Sequence, residues 1–225
     1  MDNVQSRVGA VFDQNEDTAD LSTDDYSLRR AYINMAENEW AETYDWKSLY
    51  REANVRVSTS TGNTSIALSA GGVTDFRKLA SFPKITFDGA TTEAFSEIRP
   101  QEKNSYDATD RYIYILGDQN AGYTMVVNAG TLASGASVHI PYFRSVASLV
   151  SPANVVMCPN PEYLVQRTLA YLWESHGDAR FPQAKSEAQR ILQNLLAQEQ
   201  TYGESYVDSV KTQEWKYYNF HWGRD

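Results

Sequence analysis

The apolar period of this chain changes twice, and that alternation limits the folds open to it. From Thr23 to about Ala53 the pattern is helical: Ile33, Ala36, Trp40 and Tyr44 step by three, four and four, one face of a 3.6-residue period. No Gly or Pro interrupts the stretch. Thr23 and Asp24 suit a cap, and Asp25 puts negative charge where the helix dipole favours it. Between about 54 and 150 the runs become short, β-branched and aromatic: 56–61 (RVSTST), 65–68, 84–87 (KITF), 111–116 (RYIYIL), 123–127 (YTMVV) and 137–143 (SVHIPYF). Turn residues separate them, notably Gly62-Asn63, Gly71-Gly72, Asp88-Gly89 and Gly117-Asp118. Short strands at this spacing predict a small antiparallel sheet or barrel. Pro141 places the last strand at an edge or a bulge, and Pro100 opens a short helix within 95–107.

After Pro152 the helical period returns. Asn160 is a cap and Pro161 a first-turn residue; Leu164, Val165, Thr168, Leu169 and Leu172 form a stripe ending near Gly177. Pro182 opens a second helix with Ala184, Ala188, Ile191, Leu192 and Leu195 in its stripe, running to about Tyr202-Gly203. Two helices joined by about six residues pack antiparallel. The expected fold is α+β: a small helical bundle, made of a long N-terminal helix and a C-terminal helical hairpin, interrupted by an antiparallel β domain. The segments are an acidic arm over 1–22, or a short helix there around the apolar cluster Val8, Ala10, Val11 and Phe12, then the bundle over 23–53 and 152–203, the β insertion over 54–151 and an extended C-terminal tail over 204–225.

Charge narrows the function classes. The net charge is −9, and residues 1–25 hold seven acids against one base, leaving 22 acids and 19 bases in the other 200 residues. Duplex binding needs clusters of Lys and Arg, and none is evident. The single cysteine, Cys158, excludes an internal disulfide and a cysteine-rich metal site. No apolar h-region follows Met1 and no run of 18 apolar residues exists, so neither a secretion signal nor a membrane span is expected.

Catalytic chemistry finds little footing. His139, His176 and His221 fall on a strand, at a helix C-terminus and in the tail, with no two at metal-ligand spacing. The dipole accounts for His176, and Cys158, beside Pro159, reads as a buried inert thiol. The S-x-x-K match at Ser81 to Lys84 lacks its partner motifs, and no phosphate-cradling glycine motif is present. The run Asp118 to Gly122 begins like a calcium loop but is a hairpin turn by length and by its missing Glu. The acids of 1–25 read as a solvated arm rather than cation ligands. The sequence predicts no enzyme, no cofactor and no metal.

The last 22 residues carry six aromatics: Tyr206, Trp215, Tyr217, Tyr218, Phe220 and Trp222. Large rings gain from burial, each with about 150–250 Å² to hide. Such a segment folds back on its own domain or docks on another chain.

Three stretches carry a resemblance. INMAENEWAETYDWKSLYREANVRVST (33–59) is a long helix entering a strand through Trp46 and Leu49; TDFRKL (74–79) follows the first hairpin; NPEYLVQRTLAYLWESHGD and AKSEAQRILQNLLAQEQ form the closing hairpin. SIALSAGG (65–72) departs from the usual aromatic-leucine-proline segment. Over about 23–202 the layout resembles the head-to-tail adaptors of tailed bacteriophages, the SU10-like adaptor family. The resemblance implies a structural virion protein at the head–tail interface, assembled from the host cytoplasm. It implies a ring of 12 copies beneath the portal protein, joined to a tail tube or tail nozzle protein, with double-stranded DNA passing through unread. It also implies a C-terminal extension reaching the portal, which gives the six tail aromatics a partner. The alternative is a tail-associated ligand- or carbohydrate-binding β module with helical flanks, for which the aromatics would gather on one β face.

Overall fold

The computed structural model describes residues 1–12, 23–56, 63–80, 84–87, 91–107, 109–128, 137–151 and 153–218; at 2, 23, 63, 84–87, 91–94 and 201–218 it describes the backbone. The chain divides into a helical unit, Met1–Tyr44 with Ser148–Asp225, and a β unit, Asp45–Ala147. The fold is α+β.

Four helices build the first unit: α1 (Asp2–Phe12), α2 (Thr23–Thr43), α3 (Pro161–Ser175) and α4 (Phe181–Tyr218). Helix α3 is the hub, with α1, α2 and α4 each packed on it. The stripes read from sequence are the buried ones: Ile33, Ala36 and Trp40 on α2; Leu164, Val165, Thr168, Leu169 and Leu172 on α3; Ala184, Ala188, Ile191 and Leu195 on α4. Helix α3 starts as expected, with the Asn160 side chain accepting the N–H of Glu162 at 3.0 Å and Pro161 in the first turn. Helix α1 buries Val4 and Val8 completely or nearly so. It is therefore the short helix that the sequence left open beside an acidic arm over 1–22, and it is a bundle element in its own right. Residues 13–22 of that stretch lie outside the described residues.

Two helix ends differ from the sequence reading. Helix α2 stops at Thr43, a 3-10 turn follows at Lys47–Leu49, and strand β1 (Tyr50–Arg56) occupies the last part of the expected helix. Residues 50–56 hold side chains that a strand sorts by alternation: Val55 is fully buried while Glu52, Asn54 and Arg56 are exposed. Helix α4 runs on to Tyr218, past the expected end near Gly203. One interior glycine costs a helix only about 1 kcal/mol, and no proline follows it.

The β unit is two sheets around a shared core. The remaining strands are β2 (Asn63–Ala67), β3 (Phe76–Leu79), β4 (Lys84–Phe87), β5 (Thr91–Ala94), β6 (Ser96–Glu97), β7 (Tyr112–Asp118), β8 (Gly122–Asn128) and β9 (Ser137–Arg144). The first sheet has the order β1-β9-β4-β5, with β3 also on β9; the second has the order β2-β8-β7-β6. Val55, Phe76, Val138, Ile140 and Tyr142 from the first meet Ile113, Met125 and Val127 from the second, with Leu68, Val73 and Phe95 closing the core. Pairing is antiparallel except between β6 and β7, which are parallel.

Pro141 does not sit on an edge strand. Strand β9 is central, with β1 on one side and β3 and β4 on the other. The missing N–H is tolerated because the second side changes partner there: β3 pairs Phe143 and Tyr142, and β4 begins against His139. The Pro141 carbonyl still accepts the Ala80 N–H at 2.9 Å. The expected short helix at Pro100 is a 3-10 helix, Pro100–Ser105.

Candidate functional site

Helical hubs are held by polar contacts as well as by apolar stripes. Glu39 on α2 accepts from Arg167 Nε at 2.6 Å and from the Tyr171 hydroxyl at 2.7 Å, both on α3. The Arg167 guanidinium lies 4.5 Å over the Tyr171 ring, and Tyr32 stacks on that ring at 5.6 Å. Burial first, and the bond to Glu39 second, raise the Tyr171 pKa. Arg7 on α1 pairs with Glu162 in the first turn of α3.

The segment before α3 is strapped onto α2. Asn34 accepts the Leu149 N–H at 2.7 Å and donates to the Leu149 carbonyl at 3.2 Å. Arg30 donates to the Val150 carbonyl at 3.0 Å. Glu37, only 2 % exposed, accepts the N–H of Met157. Burial raises the Glu37 pKa, against the pull of the backbone N–H groups of Met157 and Cys158.

These groups are held in place by one another. The Cys158 thiol is buried and pushed up to about 12, chiefly by that burial, so it is no nucleophile near neutral pH. His176 closes α3 with Nδ1 2.8 Å from the Leu172 carbonyl, as its C-terminal position predicts. His139 lies on the outer face of the first sheet, with Nδ1 3.1 Å from Asn54 Oδ1. Among the described residues no three His, Cys, Asp or Glu side chains gather as metal ligands. The Asp118 run is a hairpin turn: Asp118 Oδ1 accepts the N–H groups of Asn120 and Ala121 at 2.7 and 2.8 Å. A cleft of about 410 Å³ between α3 and α4 is lined by Gln166, Trp173, Arg180 and Glu187. Arg180 covers the Trp173 ring at 4.6 Å and pairs with Asp178, which leaves no open aromatic wall for a ligand.

The outer face of the first sheet carries the aromatics that a sugar-binding reading requires. Tyr50 and Phe143 meet edge to face at 6.0 Å, while Arg77 and Lys78 lie 5.9 and 5.7 Å from the Phe143 ring centre. Cations rather than open space therefore lie on that ring.

The feature with no counterpart inside the unit is the length of α4. Helix α3 has 15 residues and α4 has 38. At 1.5 Å per residue these are about 22 and 57 Å, so α4 outruns its packing partner by about 34 Å. Its last fifteen residues are the first part of the aromatic stretch.

The SU10 adaptor protein family model matches residues 3–212. The chain belongs to the SU10 adaptor family. It is thus a structural adaptor of a phage, and the family implies a place in the virion beside portal and tail components. No curated protein matches it. Among the described residues no helix is long and apolar enough to cross a membrane.

For this SU10 adaptor, the sequence-derived contact residues divide. Tyr206, Trp215, Tyr217 and Tyr218 fall on α4, where the backbone alone is described; Phe220 and Trp222 lie outside the described residues. Sequence reasoning missed that most of this tail is helix. The signal was present: Tyr206, Val210 and Tyr217 step by four and seven, a helical spacing.

Proposed function

We propose that the protein assembles into a closed ring of twelve copies beneath the portal, joins it to the tail tube or tail nozzle, and lets double-stranded DNA pass without gripping it. Family membership supports the adaptor role, and a ring needs two different faces on each subunit. The net charge of −9 suits a conduit that does not hold phosphate. On this reading residues 204–225 are the portal contact, with Tyr206, Trp215, Tyr217, Tyr218, Phe220 and Trp222 as anchors. The observation that carries the assignment is the 38-residue α4 set against a 15-residue α3. A helix extending about 34 Å past its partner is marginal alone in water and gains from a groove that takes its rings. Ordering costs about 1–2 kcal/mol of backbone entropy per residue fixed; aromatic anchors returning ~2 kcal/mol or more each offset it.

The test is assembly with a purified portal ring, imaged by electron microscopy. The full chain decorates the portal as a ring, and a chain lacking 204–225 loses only the helical signal of residues 204–218, keeps a cooperative unfolding transition, and leaves portals bare. A truncated chain that still decorates at full occupancy refutes the tail assignment, and lone off-axis copies on the portal refute the ring. Duplex DNA titrated by anisotropy gives no measurable binding at physiological salt; a micromolar affinity with a steep salt slope refutes the free conduit.

A further inference from the structure

An open sheet ends on two strands whose outer backbone groups lack a ladder. In the first sheet, among the described residues, these are β1 and β5, at opposite ends of the order β1-β9-β4-β5. The register fixes which way the groups of β1 turn. The Pro141 carbonyl accepts the Ala80 N–H on the β3 side of β9, so Pro141 turns away from β1. Its partner Glu52 therefore turns away from β9, because opposed residues in an antiparallel pair face each other or face apart together. By alternation the main-chain N–H and C=O of Glu52, Asn54 and Arg56 point to the open side of β1, while those of Arg51, Ala53 and Val55 serve the ladder to β9. Among the described residues nothing bonds the outward groups of Glu52 and Asn54. Tyr50 is closed off: its N–H goes to the Lys47 carbonyl, and its own carbonyl takes the Arg51 guanidinium at 2.6 Å.

Proteins commonly blunt such an edge with a proline, a bulge, a very short strand or a row of charge. Strand β1 has no proline and no bulge. It runs seven residues in unbroken register, and Glu52, Asn54 and Arg56 are exposed. Its charges are of both signs, Arg51 and Arg56 against Glu52, so no single-sign field keeps another strand away.

An open row of alternating donors and acceptors fits one kind of occupant, an extended backbone. The far end of the same sheet offers one. Lys84 faces His139 in the β4–β9 ladder, so its main chain turns from its other partner, Ala94. Thr92 and Ala94 of β5 then point their main-chain groups to that strand's open side, spaced by two residues as Glu52 and Asn54 are on β1. Each of the ladders from β1 through β9 and β4 to β5 is antiparallel, so β1 and β5 run in opposite directions. A head-to-tail rotation that keeps strand direction brings the two edges together as an antiparallel pair.

We propose that β5 of one copy adds to the open edge of β1 of a second copy of this chain, with Ala94 opposite Glu52 and Thr92 opposite Asn54, so that neighbouring first sheets join into one. Each copy uses each edge once. The contact is therefore heterologous, and repetition can close a ring. This inference rests on the ring reading and names the strands that join its subunits.

The test is amide hydrogen exchange of the full chain, free and on portal rings, resolved to single residues by mass spectrometry. In the free chain Glu52 and Asn54 exchange as open amides, while Ala53 and Val55 are slow. On portals the amides of Glu52 and Asn54 slow by at least about 100-fold, as amides in a strand ladder do. Asn54→Pro removes the outward N–H and leaves the bonds to β9 in place, a change an edge strand accommodates, and it lowers ring occupancy by roughly tenfold or more. Asn54→Ala loses the same side chain but keeps the N–H, and it assembles as the parent does. A third arm mixes Asn54→Cys chains with Thr92→Cys chains. Opposed residues with facing main chains lie about 5.5 Å apart, within disulfide reach, so a mixed disulfide forms on portals from the mixture and from neither variant alone. Occupied portals on which Glu52 and Asn54 still exchange within about threefold of the free chain overturn the proposal and leave the ring standing. Protection without the link between positions 54 and 92 puts another protein's strand on the edge and overturns the assignment to a second copy. If the link and the protection appear in concentrated free chain while portals carry no ring, the ring reading fails alone. Neither ring nor protection at any concentration overturns both.

Discussion

The strap on α2 gives the sharpest test of the packing argument. Asn34 matches the Leu149 peptide with both ends of its amide, 2.7 Å from Oδ1 to the N–H and 3.2 Å from Nδ2 to the carbonyl. Leu149 is 3 % exposed, so water cannot take over without the strap lifting. Asn34→Ala removes both hydrogen bonds and leaves the buried Leu149 N–H and carbonyl unpaired, at about 1–1.5 kcal/mol for each bond lost. The expected loss is about 2–3 kcal/mol of local stability. At 1.4 kcal/mol per tenfold, this is about 30–150-fold faster exchange of the Leu149 amide hydrogen. Hydrogen exchange followed by NMR reads that amide directly, and amides in the β7–β8 hairpin serve as the internal control. Asn34→Asp keeps the acceptor for the Leu149 N–H but sets a carboxylate against its carbonyl, so it also loses protection. An Asn34→Ala chain whose Leu149 amide exchanges within threefold of the parent refutes the idea that this side chain holds the strap.

Three further outcomes follow from single sites. Gly117 has φ +97°, and a Cβ there would stand 2.1 Å from the Gly122 carbonyl oxygen; Gly117→Ala should cost the β unit at least ~2 kcal/mol in urea unfolding, whereas Gly122→Asn, at φ +84° with open space around it, should cost about 1 kcal/mol or less. Cys158, with its thiol pushed up to about 12, should resist Ellman's reagent at pH 8 in the folded chain and react as one equivalent once unfolded in guanidinium; prompt reaction without denaturant would contradict its burial. Glu37 has its folded pKa raised above the ordinary 4.5, so the folded state holds the proton more tightly than the unfolded state. Its contribution therefore weakens as pH rises from 4.5 through the raised value and is regained as pH falls. Subtracting the urea-midpoint curve of Glu37→Gln from that of the parent should isolate this falling slope, and a flat or rising difference would count against it.

Features that depend on near neighbours are legible in the chain alone. The Asn160-Pro161 start of α3, the stripes of α2, α3 and α4, and the β7–β8 hairpin around Asp118 and Gly122 are local: caps, periods and turns act within a few residues. The inert Cys158, the structural role of His176 and the adaptor resemblance were legible from the same short stretches. Tertiary structure decided what depends on residues far away in the chain. Pro141 looked like an edge marker, yet β9 is central because β3 and β4, some sixty residues earlier, divide its second side between them. The end of α2 at Thr43 reflects competition, since residues 50–56 can continue a helix or pair with β9, and the ladder from Tyr50 to Arg56 prevails. Residues 1–22 left a short helix and an arm both open, and α3 decides for helix α1 by offering a surface that buries Val4 and Val8.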